Sequence, residues 1–164
     1  MTEPIIMDAS PKASLRAIRI LCRALVLGAL LFAVLSTVVI LLNGPAIPGE
    51  GQAYKLHFIP WAAGLALLCI TQAIRIYKQG ITDIRNSMQP LNNKLNQYRE
   101  LLIKYMALCE GPALFSIIVF FLFGDYLVLI ITGFMLLLML IRMPQKRKMV
   151  TELALNDQEQ QGLE

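Results

Sequence analysis

The sequence predicts an all-α membrane protein: four transmembrane helices as two tandem helical hairpins, with a cytoplasmic helical extension between spans 2 and 3. Three observations carry this. Of 164 residues, 57% are hydrophobic and 16% charged, with mean hydropathy +0.61, whereas soluble domains run near half apolar and about a quarter charged. The apolar residues gather in four blocks, and roughly 20 apolar residues are needed to cross about 30 Å of hydrocarbon. Fourteen of the 15 Lys and Arg residues flank these blocks on one side of the bilayer. The hairpins nearly exhaust the chain, so a single membrane domain over 1–164 is expected.

The first span covers about 24–42. Ser10-Pro11 reads as an N-cap followed by a proline at the first helical position. Lys12, Arg16, Arg19 and Arg23 then form a basic ramp into the apolar run. A signal peptide shares this beginning, but its apolar region is shorter and a small-residue cleavage pattern follows it. Here Asn43-Gly44-Pro45 and Pro48-Gly49 read as a helix stop and a loop, and a retained span is expected.

The second span covers about 56–76, led by Phe58, Pro60 and Trp61. Aromatic side chains favour the membrane–water interface, and a first-turn proline gives up an N–H that had no partner there. The third span covers about 101–123, ended by the tight turn Gly124-Asp125. The fourth covers about 126–143, closed by Pro144 and the basic run Lys146-Arg147-Lys148, a topology anchor with potential attraction for anionic lipid. The tail 150–164 is polar after Leu155 and is expected to fray.

Charge sets the orientation. Lys or Arg stands at 12, 16, 19 and 23, at 75, 78, 85, 94, 99 and 104, and at 142, 146, 147 and 148, with Lys55 alone in the other loops. Positive residues stay inside, so both termini and the central loop are expected in the cytoplasm. Between spans 2 and 3, Ile81, Ile84 and Met88 continue one helical stripe, and Leu91, Leu95, Tyr98 and Leu102 begin another. A cytoplasmic helical hairpin over about 77–100 follows, turning at 86–90.

The first and third spans carry an internal match. Ala24, Leu25, Gly28, Leu31 and Phe32 recur as Ala107, Leu108, Gly111, Leu114 and Phe115 at a constant offset of 83. A duplicated hairpin explains it. Small residues let membrane helices approach closely, so Gly28, Gly64, Gly111 and Gly133 are expected at helix contacts in a compact four-helix bundle. Four helices leave much apolar surface for lipid or a partner, and a homo-oligomer or a larger membrane complex is expected.

Glu110 is the one acidic residue deep in an apolar run. A charge near the bilayer centre costs on the order of 3 kcal/mol even on a lenient scale. Pro112 cannot donate to the carbonyl of Leu108, which leaves an acceptor beside the acid and predicts a kink. Arg23, one turn toward the cytoplasm, and Gln72 are the candidate partners, with Thr71 near the same depth. Two readings remain open: a buried Glu110–Arg23 pair that staples the bundle, and an acid that carries a proton or cation or meets a ligand.

The run Ala107-Leu108-Cys109-Glu110-Gly111-Pro112-Ala113-Leu114-Phe115-Ser116-Ile117-Ile118 resembles the glutamate helix of rotary ATPase proteolipids, the subunit c family. That resemblance implies ion binding at Glu110. In that family the acid lies on the second helix of its hairpin and the first helix is glycine-rich, whereas Glu110 opens a hairpin here. Over most of its length the chain resembles an uncharacterised family of small bacterial four-span inner-membrane proteins. Their third helix carries Ala-Leu-x-Glu-Gly-Pro-Ala-Leu-Phe and their fourth ends in basic residues. This implies an inner-membrane location and no particular activity.

Other chemistry is poorly provided for. Cys22, Cys69 and Cys109 lie far apart in sequence, with neither a zinc spacing nor a disulfide framework, and read as small packing residues. His57 is the single histidine, which excludes a bis-histidine haem or a histidine metal cluster within one chain. There is no P-loop, dinucleotide fingerprint or Gly-x-Ser-x-Gly elbow. Ser36, Thr37 and Ser116 lack a histidine at matching depth. The net charge of +4 belongs to membrane flanks, so nucleic acid is not an expected partner. A non-enzymatic accessory or scaffold protein in contact with membrane lipids, without cofactor or metal, is the leading expectation; a small translocating protein using Glu110 is the alternative.

Overall fold

The computed structural model describes residues 11–48, 53–87, 89–144 and 151–152. Ser10, Gly49, Met88, the basic run 146–148 and, of the tail, 150 and everything beyond 152 lie outside the described residues. The described chain is all-helical, with α1 at Pro11–Asn43, α2 at Lys55–Asn86, α3 at Leu91–Phe123 and α4 at Leu127–Ile141. Pro11 opens α1, the position where its missing N–H and fixed φ suit a helix.

Three of these helices are long and apolar enough to cross a membrane, over Arg16–Asn43, Leu56–Asn86 and Asn93–Phe123. At 1.5 Å per residue each of α1 to α3 is roughly 50 Å long, well beyond the hydrocarbon thickness. The fourth helix is shorter than its expected extent of 126–143. It has 15 residues, or about 22 Å. The carboxyl-side reason is local: Pro144 biases Met143 away from the helical region, and the helix stops before Arg142.

The excess length of α2 and α3 forms the helical hairpin expected over 77–100. Ser87 ends α2 in an extended conformation, its N–H and its Oγ both donating to the Ile84 carbonyl at 3.3 and 2.7 Å. Pro90, extended at φ −62 and ψ 152, starts α3, and its carbonyl accepts from the Asn93 and Lys94 amides. Tyr77, Ile84, Leu95, Tyr98, Leu101 and Leu102 are buried together, so the two stripes do face one another. A Cβ on Gly80 would fall 2.6 Å from Leu101 Cδ1, which makes Gly80 the point of close approach between α2 and α3.

Helix α3 is the hub. It packs extensively on α2, α4 and α1. Its most apolar window is 50% buried, against 22% in α1 and 17% in α2. The first hairpin is open, because α1 and α2 make no extended contact with each other and each leans on α3 instead. A pattern of burial recurs at the offset of 83, at positions other than the five identical residues. Ile18, Cys22, Val26, Ser36 and Ile40 of α1 are buried, and so are Leu101, Tyr105, Cys109, Val119 and Phe123 of α3. It does not extend to equivalent hairpins, since α3 and α4 pack closely where α1 and α2 do not.

The opposite end is closed by backbone. The amides of Ala46 and Ile47 donate to the Phe121 and Leu122 carbonyls at 3.2 and 2.9 Å, satisfying groups that a helix end leaves orphaned. Gly124 caps α3 in the left-handed region at φ 69, and Asp125 Oδ1 accepts from the Leu127 amide at 3.0 Å to start α4.

Candidate functional site

Glu110 lies midway along α3 and is half-buried, while Arg23 and Gln72 are exposed. Among the described residues no hydrogen bond or ion pair joins Glu110 to either, so the expected Glu110–Arg23 pair is not formed. Thr71 turns back on its own helix, its hydroxyl donating to the Leu68 carbonyl at 2.8 Å. Helix α3 runs without interruption through Pro112, which is buried. On the side of α4, Thr132 Oγ1 donates to the Ala113 carbonyl at 3.4 Å. One turn beyond, Ser116 Oγ is buried with no hydrogen-bond partner among the described residues.

The four glycines expected at helix contacts all face outward. Gly28, Gly64, Gly111 and Gly133 are exposed, and a Cβ added to any of them would meet nothing within 4 Å. Their role inside this chain is corrected accordingly, and Gly80, which has no distinguishing local spacing, stands at a helix–helix contact instead. Small size alone cannot say which neighbour a glycine serves, because a small residue suits a lipid-facing or partner-facing groove as well as an internal contact.

Among the described residues a highly connected polar group lies beyond the carboxyl end of α4, with no local signature in the sequence. Glu152, in the segment expected to fray, is docked. Its Oε2 accepts from the Tyr77 hydroxyl at 2.6 Å and the Tyr98 hydroxyl at 3.2 Å, and its Oε1 pairs with Arg142 at 3.3 Å. Arg142 also lies over the Tyr77 ring, 4.5 Å from its centroid, and Tyr77 packs edge-on against Tyr105 at 5.5 Å. Helices α2 and α3, the end of α4 and the C-terminal segment are thus tied at one carboxylate. The four residues are separated by up to 75 positions in sequence, which is why periodicity could show Tyr98 only as part of an apolar stripe and Arg142 only as a topology flank.

At the start of α2, two neighbouring cavities share His57 and Trp61. One, about 360 Å³, is lined along a single face of α2 by His57, Pro60, Trp61, Gly64, Leu65 and Leu68. The other, about 300 Å³, reaches Phe58 and Phe115. Gly64 lines the first of these, a notch in an otherwise apolar face.

Chemistry beyond this is sparse. Among the described residues no three His, Cys, Asp or Glu side chains gather where a metal ion would be held. Cys22, Cys69 and Cys109 are free thiols. Comparison with known family models, curated proteins and solved structures finds no match. The fold and site define an all-helical protein with three membrane-length apolar helices and one carboxylate-centred polar knot.

Proposed function

We propose that this chain is a non-enzymatic accessory or scaffold component of a membrane assembly in the cell inner membrane. Its termini and the α2–α3 turn face the cytoplasm, and α4 completes a fourth crossing with help from its flanking residues. The positive-inside bias supports the orientation. One observation carries the functional reading: the most apolar windows of α1 and α2 are only 22% and 17% buried, and the two helices leave each other unpacked.

Among the described residues, twelve large hydrophobic side chains on α1, seven on α2 and six on the shorter α4 are exposed, against one on α3. Each fully exposed aliphatic forgoes about 1.5–3 kcal/mol of burial in water, and a typical fold has only about 5–15 kcal/mol in reserve. Such surfaces need lipid or protein around them. Between membrane helices, association depends on close packing and small residues rather than on the hydrophobic effect. Gly28 and Gly64 face outward on these two helices, which supports docking of partner helices there, from another copy or a larger complex. Gentle solubilisation from native membrane followed by size analysis tests this. A stable assembly heavier than one chain and its detergent supports the scaffold reading, and a lone chain at every detergent ratio overturns it.

A second reading keeps one specific support. Glu110 sits in an apolar helix without a hydrogen-bond or ion-pair partner among the described residues, so the staple role that pairing with Arg23 was expected to give it loses its basis. An acid in that position suits proton or cation passage. Flux through oriented vesicles, compared with the Glu110→Gln variant, decides it.

A further inference from the structure

We propose that Tyr77, Tyr98 and Arg142 form an anion receptor at the cytoplasmic end of the bundle, that Glu152 is its resident ligand, and that the phosphate of an anionic lipid can replace it. Glu152 is then a latch, closed when its carboxylate is bound and released when a lipid headgroup takes its place.

The geometry is that of a receptor. Three donors from three parts of the fold converge on the two oxygens of one carboxylate, with Tyr77 and Tyr98 on Oε2 and Arg142 on Oε1. The hydroxyl-bearing residues are buried, Tyr98 at 1% exposure and Tyr77 at 4%. Buried hydroxyls are almost always partnered, so these two donors favour an incoming acceptor when the Glu152 carboxylate leaves. A phosphate presents the same pair of oxygens, and Arg suits both groups.

The ligand end is less firmly committed than the receptor end. The Glu152 side chain keeps 23% of its surface exposed and Arg142 35%, so a competitor can approach from solvent or headgroups. The position favours lipid. Tyr77 directly follows the apolar run that ends at Ile76, and Arg142 directly follows the last residue of α4. Both therefore lie at headgroup depth, on the side where basic flanks are concentrated and anionic lipids are enriched. The consequence is mechanical, since Glu152 adds a polar tie to the apolar and cation–π contacts that join the α2–α3 projection to the end of α4.

The test uses the full chain labelled with 3-fluorotyrosine in nanodiscs, with the Tyr77 and Tyr98 fluorine resonances assigned by single Tyr→Phe variants. In phosphatidylcholine, Glu152→Ala should shift both resonances from their wild-type positions. In phosphatidylglycerol the same variant should return them toward those positions. Restoration by free glycerophosphate in phosphatidylcholine, without restoration by phosphatidylglycerol, would keep the receptor but overturn the lipid as its source. The double variant Arg142→Gln with Glu152→Ala should lose the restoration, and restoration that survives it contradicts the role given to the guanidinium. Unmoved resonances in Glu152→Ala, or shifts that neither phosphate source reverses, overturn the proposal. Should Glu152→Ala fail to fold, Glu152→Gln keeps the side-chain length and removes the charge. Phosphatidylglycerol must then move both resonances in Glu152→Gln relative to phosphatidylcholine, and no movement overturns the proposal equally.

Discussion

Gly80 of α2 and Leu101 of α3 meet so closely that a Cβ on the glycine would stand 2.6 Å from Leu101 Cδ1 and 2.9 Å from Cδ2. Two effects of Gly80→Ala compete. The helix gains about 1 kcal/mol from replacing glycine, and overpacking a buried contact costs about 1–3 kcal/mol. Leu101 is only 6% exposed, and its Cγ as well as both methyls falls within 3.2 Å of the added atom, so turning the methyl ends alone does not relieve the contact, the second effect wins and the variant is less stable. In a Leu101→Ala background the crowding is gone, and Gly80→Ala should stabilise by about 1 kcal/mol. A double-mutant cycle of unfolding in mixed micelles reads the reversal of sign.

The end of α3 makes a second prediction. Gly124 has φ 69, and an added Cβ would lie 3.3 Å from the Pro45 side chain in the loop after α1. A left-handed non-glycine residue costs about 1–2 kcal/mol. Gly124→Ala should therefore lower stability by about that amount, with the contact to Pro45 adding to it. Gly44, at φ 79 with open space around it, should show the backbone cost alone. Parallel thermal unfolding of the two variants separates the terms.

Ser116 should behave in the opposite way from most buried residues. Its Oγ is buried without a partner among the described residues, and an orphaned buried hydroxyl costs about 1–3 kcal/mol. Ser116→Ala removes the hydroxyl and leaves the methylene-sized volume nearly filled. The variant is expected to be at least as stable as the parent, by up to about 1 kcal/mol, in the same unfolding assay.

Glu110 separates the two functional readings. If Glu110 serves only as a tolerated residue in an accessory protein, Glu110→Gln leaves assembly and vesicle leak unchanged. If it carries protons or cations, the variant abolishes a flux that the parent shows. Proton flux in vesicles of known orientation, with a pH-sensitive dye inside, gives the answer.

Much of this architecture was legible because it is governed by local repetition. Block length marked the apolar helices, the stripes through Ile84 and Leu95 marked the α2–α3 projection, and Gly124-Asp125 marked the sharpest turn. Pro144 could have warned that α4 would end early, since the residue before a proline resists the helical conformation. What stayed hidden depends on which faces meet. Gly28, Gly64, Gly111 and Gly133 have the same local signature as Gly80, yet only Gly80 has a neighbour to crowd. The Glu152 knot was out of reach for a stronger reason: its donors come from Tyr77, Tyr98 and Arg142, and nothing in the spacing of a polar tail says that it returns to them. The Glu110–Arg23 pair failed because matching depth on two helices does not make two side chains face each other.

The claim on which the functional account depends is that the outward faces of α1 and α2 meet protein rather than lipid alone. Photo-crosslinking amino acids at Leu31 and Leu68, exposed positions near Gly28 and Gly64, test it in intact native membranes, with Ile130 on α4 as the comparison site. The account predicts a discrete protein adduct from Leu31 and Leu68. Lipid adducts alone at those two positions, in membranes with the chain at its native level, would contradict it.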